Sequence, residues 1–178
     1  MQVTIRKATL SDIPALRILI PESVRELLGR YHTPQQIEGA LGTVFGVDTR
    51  LIQDGTYFVA EAGSDIVGCG GWSRRRTPFG SDNAPNKDDA LLDPSVEPAR
   101  IRAFFVHPAW ARQGIGSRLM RACESAARTA GFTRLELAAT LAGEALYRRH
   151  RFTAVEHFEA PLPNGATVPL IRMSKDLA

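Results

Sequence analysis

A chain of 178 residues with 44% hydrophobic side chains is long enough to bury one core and too short for two ordinary domains, so a single domain over 1–178 is expected. A net charge of only +3 argues against a nucleic-acid partner, two cysteines exclude a disulfide framework, and no apolar run approaches the ~20 residues that cross a bilayer. Met1-Gln-Val-Thr-Ile-Arg-Lys7 has no apolar segment behind a basic one, so no secretory signal is evident and a cytoplasmic protein without a membrane partner is expected.

Val3-Thr-Ile-Arg6 alternates like a strand, and Ser11-Asp-Ile-Pro14 reads as a helix start, an N-cap candidate followed by Pro in the first turn. Pro21 is expected to interrupt that helix, with a second helical piece from Glu22 to about Gly29 and a third from Thr33-Pro34 to about Phe45. Tyr57–Glu61, a turn over Ala62–Asp65 and Ile66–Trp72 make an antiparallel hairpin pattern. Gly68, Gly70 and Gly71 are costly in a plain strand and suggest a bulge or a close neighbour. Thr77 to Pro98, rich in Pro, Gly, Asn and Asp, reads as a long loop. That loop sets Asp82, Asp88, Asp89, Asp93 and Glu97 against Lys87, whereas Arg100 to Arg151 is dominated by arginine against only Glu124, Glu136 and Glu144. One part of the molecule therefore favours anions and its neighbour favours cations.

Most of the chemistry lies in Arg100-Ile-Arg-Ala-Phe-Phe-Val-His-Pro-Ala-Trp-Ala-Arg-Gln-Gly-Ile-Gly-Ser117, where a strand over about Ala99–Val106 enters a turn, and Gly114 and Gly116 sit where a helix over Ile115–Ala130 begins. Such a junction aims free backbone N–H groups at one spot, glycine removes a Cβ that would block approach, and the helix dipole adds partial positive charge. Its natural occupant is a pyrophosphate. Leu119, Ala122, Cys123, Ala126, Ala127 and Ala130 form one helix face of mostly small residues, and Gly131 ends the helix. Arg134–Ala139 is a further strand and Gly143–His150 a short helix, with a last strand pair, Phe152–Glu159 and Thr167–Ser174, around Pro161-Leu-Pro-Asn-Gly165. Cys69 and Cys123 lack metal-ligand spacing and are expected as buried, reduced thiols, with no metal implied. A dinucleotide fold would need a third glycine and a turn near the start of its domain, and neither is present.

In this order of elements the chain resembles the GNAT N-acetyltransferase family, from Val3 to Leu177 and most specifically over Ala103 to Phe152. The resemblance implies an α/β (α+β) fold: a mixed, mostly antiparallel sheet of roughly six to seven strands, splayed between the fourth and fifth, flanked by about four helices. It implies acetyl-CoA as cosubstrate and transfer of acetyl to a primary amine of a small molecule or peptide, by direct attack through a tetrahedral intermediate. The alternative is a non-catalytic CoA-binding or regulatory module that kept the cradle and lost the chemistry.

Ala111-Arg-Gln-Gly-Ile-Gly116 occupies the family's Arg/Gln-x-x-Gly-x-Gly/Ala turn, departing at Ala111. The cofactor is therefore expected on Arg112, Gln113, Gly114, Ile115, Gly116 and Ser117, chiefly through main-chain N–H groups. Phe105 and Val106, where the family's fourth strand bulges, are expected at the acetyl and pantetheine, and Thr140 stands where many members have an Asn near the pantetheine arm. Ala145-Leu-Tyr-Arg-Arg-His-Arg-Phe152 is similar to the family's Phe/Leu-Tyr-x-x-x-Gly-Phe segment, with Arg151 in place of the usual Gly. Tyr147 falls on the tyrosine proposed to protonate the departing thiolate, a role a neutral phenol can fill. For the base that deprotonates the amine, Glu97 is the candidate, with Asp93, Glu61 and His107 as weaker ones. The acidic loop points to a cationic acceptor, and Trp72, Phe79, Tyr31 and Trp110 could line its site. The closing strand pair is compatible with a homodimer.

Overall fold

A computed structural model describes residues 2–85 and 87–177. Seven strands, β1 (Val3–Lys7), β2 (Tyr57–Ala62), β3 (Asp65–Ser73), β4 (Ala99–Val106), β5 (Arg134–Ala139), β6 (Thr153–Pro161) and β7 (Thr167–Asp176), form one sheet in the order β1-β2-β3-β4-β5-β7-β6. Every neighbouring pair is antiparallel except β4 with β5. That parallel pair holds only at Ala99–Leu135 and Arg100–Glu136, after which the strands part. Helices α1 (Ile13–Ser23), α2 (Pro34–Ala40) and α3 (Thr49–Gln53) cover one face; α4 (Ile115–Thr129) and α5 (Glu144–Arg149) cover the other.

Pro21 does not interrupt α1, contrary to the sequence expectation. The helix runs through it and widens into a π-helical turn over Val24–Leu28, with the Val24 N–H shared between the carbonyls of Ile20 and Pro21. A helix-interior proline costs about 3 kcal/mol, whereas each buried leucine or isoleucine contributes about 1.5–3 kcal/mol. Leu16, Leu19, Ile20, Val24 and Leu28 all lie buried on this stretch, so tertiary burial outweighs the local penalty. The third helical piece stops at Ala40 instead of Phe45, because Leu41 leaves helical geometry at ψ 130° and bridges to Phe45. An additional helix, α3, starts where the Asp48 carboxylate accepts the Arg50 N–H at 3.1 Å.

The glycines of β3 mark a close neighbour: a Cβ on Gly68 would sit 2.7 Å from Ile115 of α4, so the helix lies directly on the strand. Cys69 and Cys123 are buried free thiols in different clusters of the core. The loop 77–98 is held to the body. The Thr77 N–H donates to the Asp88 carbonyl, Ser81 N–H to Thr43 and Asp82 N–H to Val47, at 2.7–3.0 Å. Among the described residues no helix is long and apolar enough to cross a membrane.

Candidate active site

The site begins as an irregularity in β4. Cys69 pairs with Phe105 and Gly71 with Arg102, so β4 carries one more residue than β3 between these points. Ala103 absorbs the excess at φ +56°, and the buried Tyr57 hydroxyl pins the bulge by donating to the Ala103 carbonyl at 2.8 Å. Beyond it, the His107 N–H donates to Val67 of β3 at 2.9 Å. Since N–H groups alternate along an extended strand, the Val106 N–H points to the opposite edge, where β5 has already splayed away. A free main-chain donor is thus aimed into the gap.

The chain then turns through Pro108–Trp110 and reaches α4 by way of two left-handed residues, Arg112 at φ +67° and Gly114 at φ +83°. Gly114 has nothing within 4 Å of where a Cβ would stand, so its approach is open. The first helical bond of α4 runs from Arg118 N–H to the Gly114 carbonyl at 3.1 Å, which leaves the N–H groups of Ile115, Gly116 and Ser117 ahead of the ladder. Ser117 is positioned from behind: its Oγ lies 3.0 Å from Nε2 of His150. Burial lowers the affinity of that imidazole for a second proton.

Tyr147 of α5 reaches the same gap from below. Its ring packs edge-on against Phe104 at 6.3 Å and Phe152 at 6.1 Å between centroids, and burial holds its phenol well above the ordinary value, with the nearby Cys123 adding to it. Thr140 starts the turn into α5 by accepting the Gly143 N–H on its Oγ1 at 3.1 Å.

These elements surround one cavity of about 660 Å³. Phe105, Val106, Arg112, Gly114, Ile115, Gly116, Ser117, Thr140 and Tyr147 all line it, as do Tyr31, Phe79 and Trp110. Gln113 does not, since its amide turns back to donate to the Ala109 carbonyl at 3.2 Å. Trp72 does not either, because it packs on Phe132 in the opposite core.

Glu97 is a correction. It precedes the far end of β4, where Oε2 accepts the Asp93 N–H at 2.8 Å and Oε1 lies 3.8 Å from Arg76, so it closes a turn away from the cavity. The other acidic loop residues are likewise engaged. Asp82 accepts from the Thr49 N–H and hydroxyl, Asp88 from Ala90, Asp89 pairs with Arg50, and Asp93 accepts from Ser95. None of them lines the cavity, which removes the ground for a cationic acceptor. Asp93 therefore leaves the list of bases with them. Glu61 is tied to Arg6, and His107 accepts the Ala109 N–H on Nδ1 and faces Glu22 at 3.5 Å.

Sequence reasoning missed three features. Arg149 and Arg30 line the cavity but carried no local signal among many arginines. Arg102 is 3% exposed and binds Asp48 at 2.7 Å, Gly80 O at 2.7 Å and Thr77 O at 3.0 Å, stapling the 77–81 loop beside the bulge. Lys87 is the second cation on Asp48, at 3.3 Å. No spacing along the chain announces that partnership. Among the described residues no group of three or more His, Cys, Asp or Glu could hold a metal ion.

The architecture has many solved counterparts. The GCN5-related N-acetyltransferase from Rhodopseudomonas palustris aligns with a TM-score of 0.73 at 16% identity, over 99% of this chain and 96% of that one. The putative acetyltransferase yncA from Salmonella typhimurium, solved with acetyl-CoA, aligns at 0.66 and 19% identity, over 100% and 95%. The PaiA N-acetyltransferase from Thermoplasma acidophilum, solved with coenzyme A, aligns at 0.66 and 14% identity, over 99% of both chains. No curated protein matches the chain by sequence. The sequence profile of the Acetyltransferase (GNAT) family matches residues 22–152, a span that takes in the bulged β4, the Gly114 turn and Tyr147, and the chain belongs to that family.

Proposed function

We propose that this chain is an acetyl-CoA-dependent N-acetyltransferase that delivers acetyl to a primary amine of a small molecule or peptide by direct attack. The observation that carries the reading is the convergence on one cavity of three things: the open N–H groups at the start of α4, the outward Val106 N–H and the Tyr147 ring. The cradle suits a pyrophosphate, since its donors are backbone groups, its N-cap is a left-handed glycine with open space beside it, and Arg112 and Arg149 flank it. Acetyl-CoA supplies a thioester whose carbonyl is the electrophile.

The residues of this chain then have separate tasks. Val106 N–H is oriented to donate to oxygen as negative charge develops there, and the pinned bulge keeps that donor preorganised. Tyr147 stays protonated because its phenol is buried, so it can give a proton to the departing thiolate and recover one, through water, from the attacking nitrogen, which sheds it as the tetrahedral intermediate collapses to the amide and free thiol. Removal of the ammonium proton ahead of attack falls to no side chain of the wall: among the described residues no Asp, Glu or His lines the cavity. Apolar surroundings favour the neutral amine instead, because burial penalises the ammonium form.

Thiol release from acetyl-CoA with a panel of amines, in the wild type and in Tyr147→Phe, tests this. Release that depends on added amine and falls steeply in the variant supports transfer. Calorimetric binding of acetyl-CoA without amine-dependent release means a CoA-binding module instead, and absence of binding overturns the cofactor assignment itself.

A further inference from the structure

The acceptor end of the cavity has a chemical character of its own. We propose that the acceptor is an amine on an aromatic or branched apolar body, carrying no second positive charge and tolerating an acidic substituent, as in an arylalkylamine or a hydrophobic amino acid. This rests on the transferase reading and deepens it.

Leu27, Leu28, Val44, Phe45, Phe79 and Leu170 supply the wall, drawn from the π-helical turn, the segment after α2, the stapled loop and β7. Phe45 meets Phe105 edge-on at 6.2 Å, which places this aromatic wall against the β4 residues flanking the reaction gap. The wall's ionised side chains are both cations: exposed Arg30 and the buried Arg102. Asp48, behind the wall, is already held by Arg102 and Lys87, and among the described residues no Asp or Glu lines the cavity. A polyamine or amino sugar entering here would leave ammonium groups against apolar surface and arginine with no carboxylate to meet them. That desolvation is costly, and the like charge of Arg30 adds to it. An apolar body instead gains from burial, and a carboxylate on it would meet Arg30.

The test measures kcat/KM by thiol release at saturating acetyl-CoA for phenethylamine, phenylalanine, spermidine and kanamycin. Phenethylamine or phenylalanine is expected to exceed spermidine and kanamycin by at least about tenfold, the equivalent of about 1.4 kcal/mol. Phe79→Ala should lower the phenethylamine value by on the order of tenfold while leaving the KM for acetyl-CoA in place. Arg30→Glu changes an exposed side chain and leaves the core intact; it should depress phenylalanine relative to phenethylamine and raise spermidine. Spermidine or kanamycin as the best substrate overturns the acceptor class and leaves the transferase reading standing. Release with none of the four amines, despite acetyl-CoA binding, overturns the acceptor class, and the transferase reading falls with it only if the wider panel of small-molecule and peptide amines gives no release either.

Discussion

The two ends of the cavity are built by different means. At the proposed cofactor end the recognition elements are main chain: the left-handed Gly114, the N–H groups of the first turn of α4 that lie ahead of its ladder and the outward edge of a bulged strand. At the acceptor end they are side chains contributed by segments far apart in sequence, among them Leu27, Phe45, Phe79 and Leu170. Backbone recognition depends on conformation, so under the proposed assignment Ala111, where the family usually has Arg or Gln, is expected to leave it intact. A side-chain wall changes character with each replacement, so the same fold can keep its cofactor while exchanging its acceptor.

The sharpest way to break that division is Tyr147→Phe. If Tyr147 serves the shared chemistry and neither binding end, kcat should fall by roughly 10²–10⁴-fold with both KM values little changed. A large rise in the KM for acetyl-CoA alone would make it a cofactor contact. Next is Arg102→Ala, which removes the main partner of a buried Asp48 and releases two bonds to the 77–81 loop. Loss of about 3 kcal/mol in urea unfolding is expected, together with a raised acceptor KM; Lys87 is the remaining cation that limits the damage.

Gly114→Val forces a β-branched residue to φ +83°, a strain of about 1–2 kcal/mol. It should weaken CoA binding by on the order of tenfold in calorimetry while leaving acceptor KM alone. A change confined to the acceptor would invert the assignment of the two ends. Arg151→Gly works in the opposite sense. Arg151 is an exposed residue held at φ +67° outside the cavity lining, so relief of strain should raise stability by about 1 kcal/mol, or Tm by about 2–4 °C. An unchanged or lower Tm would show that the side chain earns its strained place.

The smallest effect concerns pH. The Arg6 guanidinium, through hydrogen bonds at 2.9 and 3.0 Å, holds the Asp12 carboxyl below the usual carboxylate range; burial opposes this and the Thr9 N–H reinforces it. A depressed folded-state pKa means the stabilisation is present above the unfolded value, about 3.9, and is lost as pH falls through the folded one. The urea midpoint of the wild type should therefore drop more steeply below pH 4 than that of Asp12→Asn. Parallel curves would remove Asp12 from the acid response.

Most of the strands, α4 and the glycine turn that leads into it were legible in the sequence, because each is a local matter. Alternating residues mark Val3–Arg6, an apolar run marks Ala99–Val106, and two glycines beside a run of small residues mark a strand-to-helix turn. The persistence of α1 through Pro21 was not legible, since a local penalty lost to buried contacts with distant parts of the sheet. Glu97 was misplaced for a related reason. Sequence puts it next to β4, yet the strand carries the reaction gap at its other end, and only the register shift at Ala103 and the early end of the β4–β5 pairing say which end opens. The acidic loop offered charges without their partners; Thr49, Arg50 and Arg76 claim them in three dimensions. By itself the sequence determined where free backbone donors arise, since that follows from φ, ψ and neighbouring residues. Only the tertiary structure decided which side chains face the acceptor, because charge and shape in a cavity are properties of residues brought together across the fold.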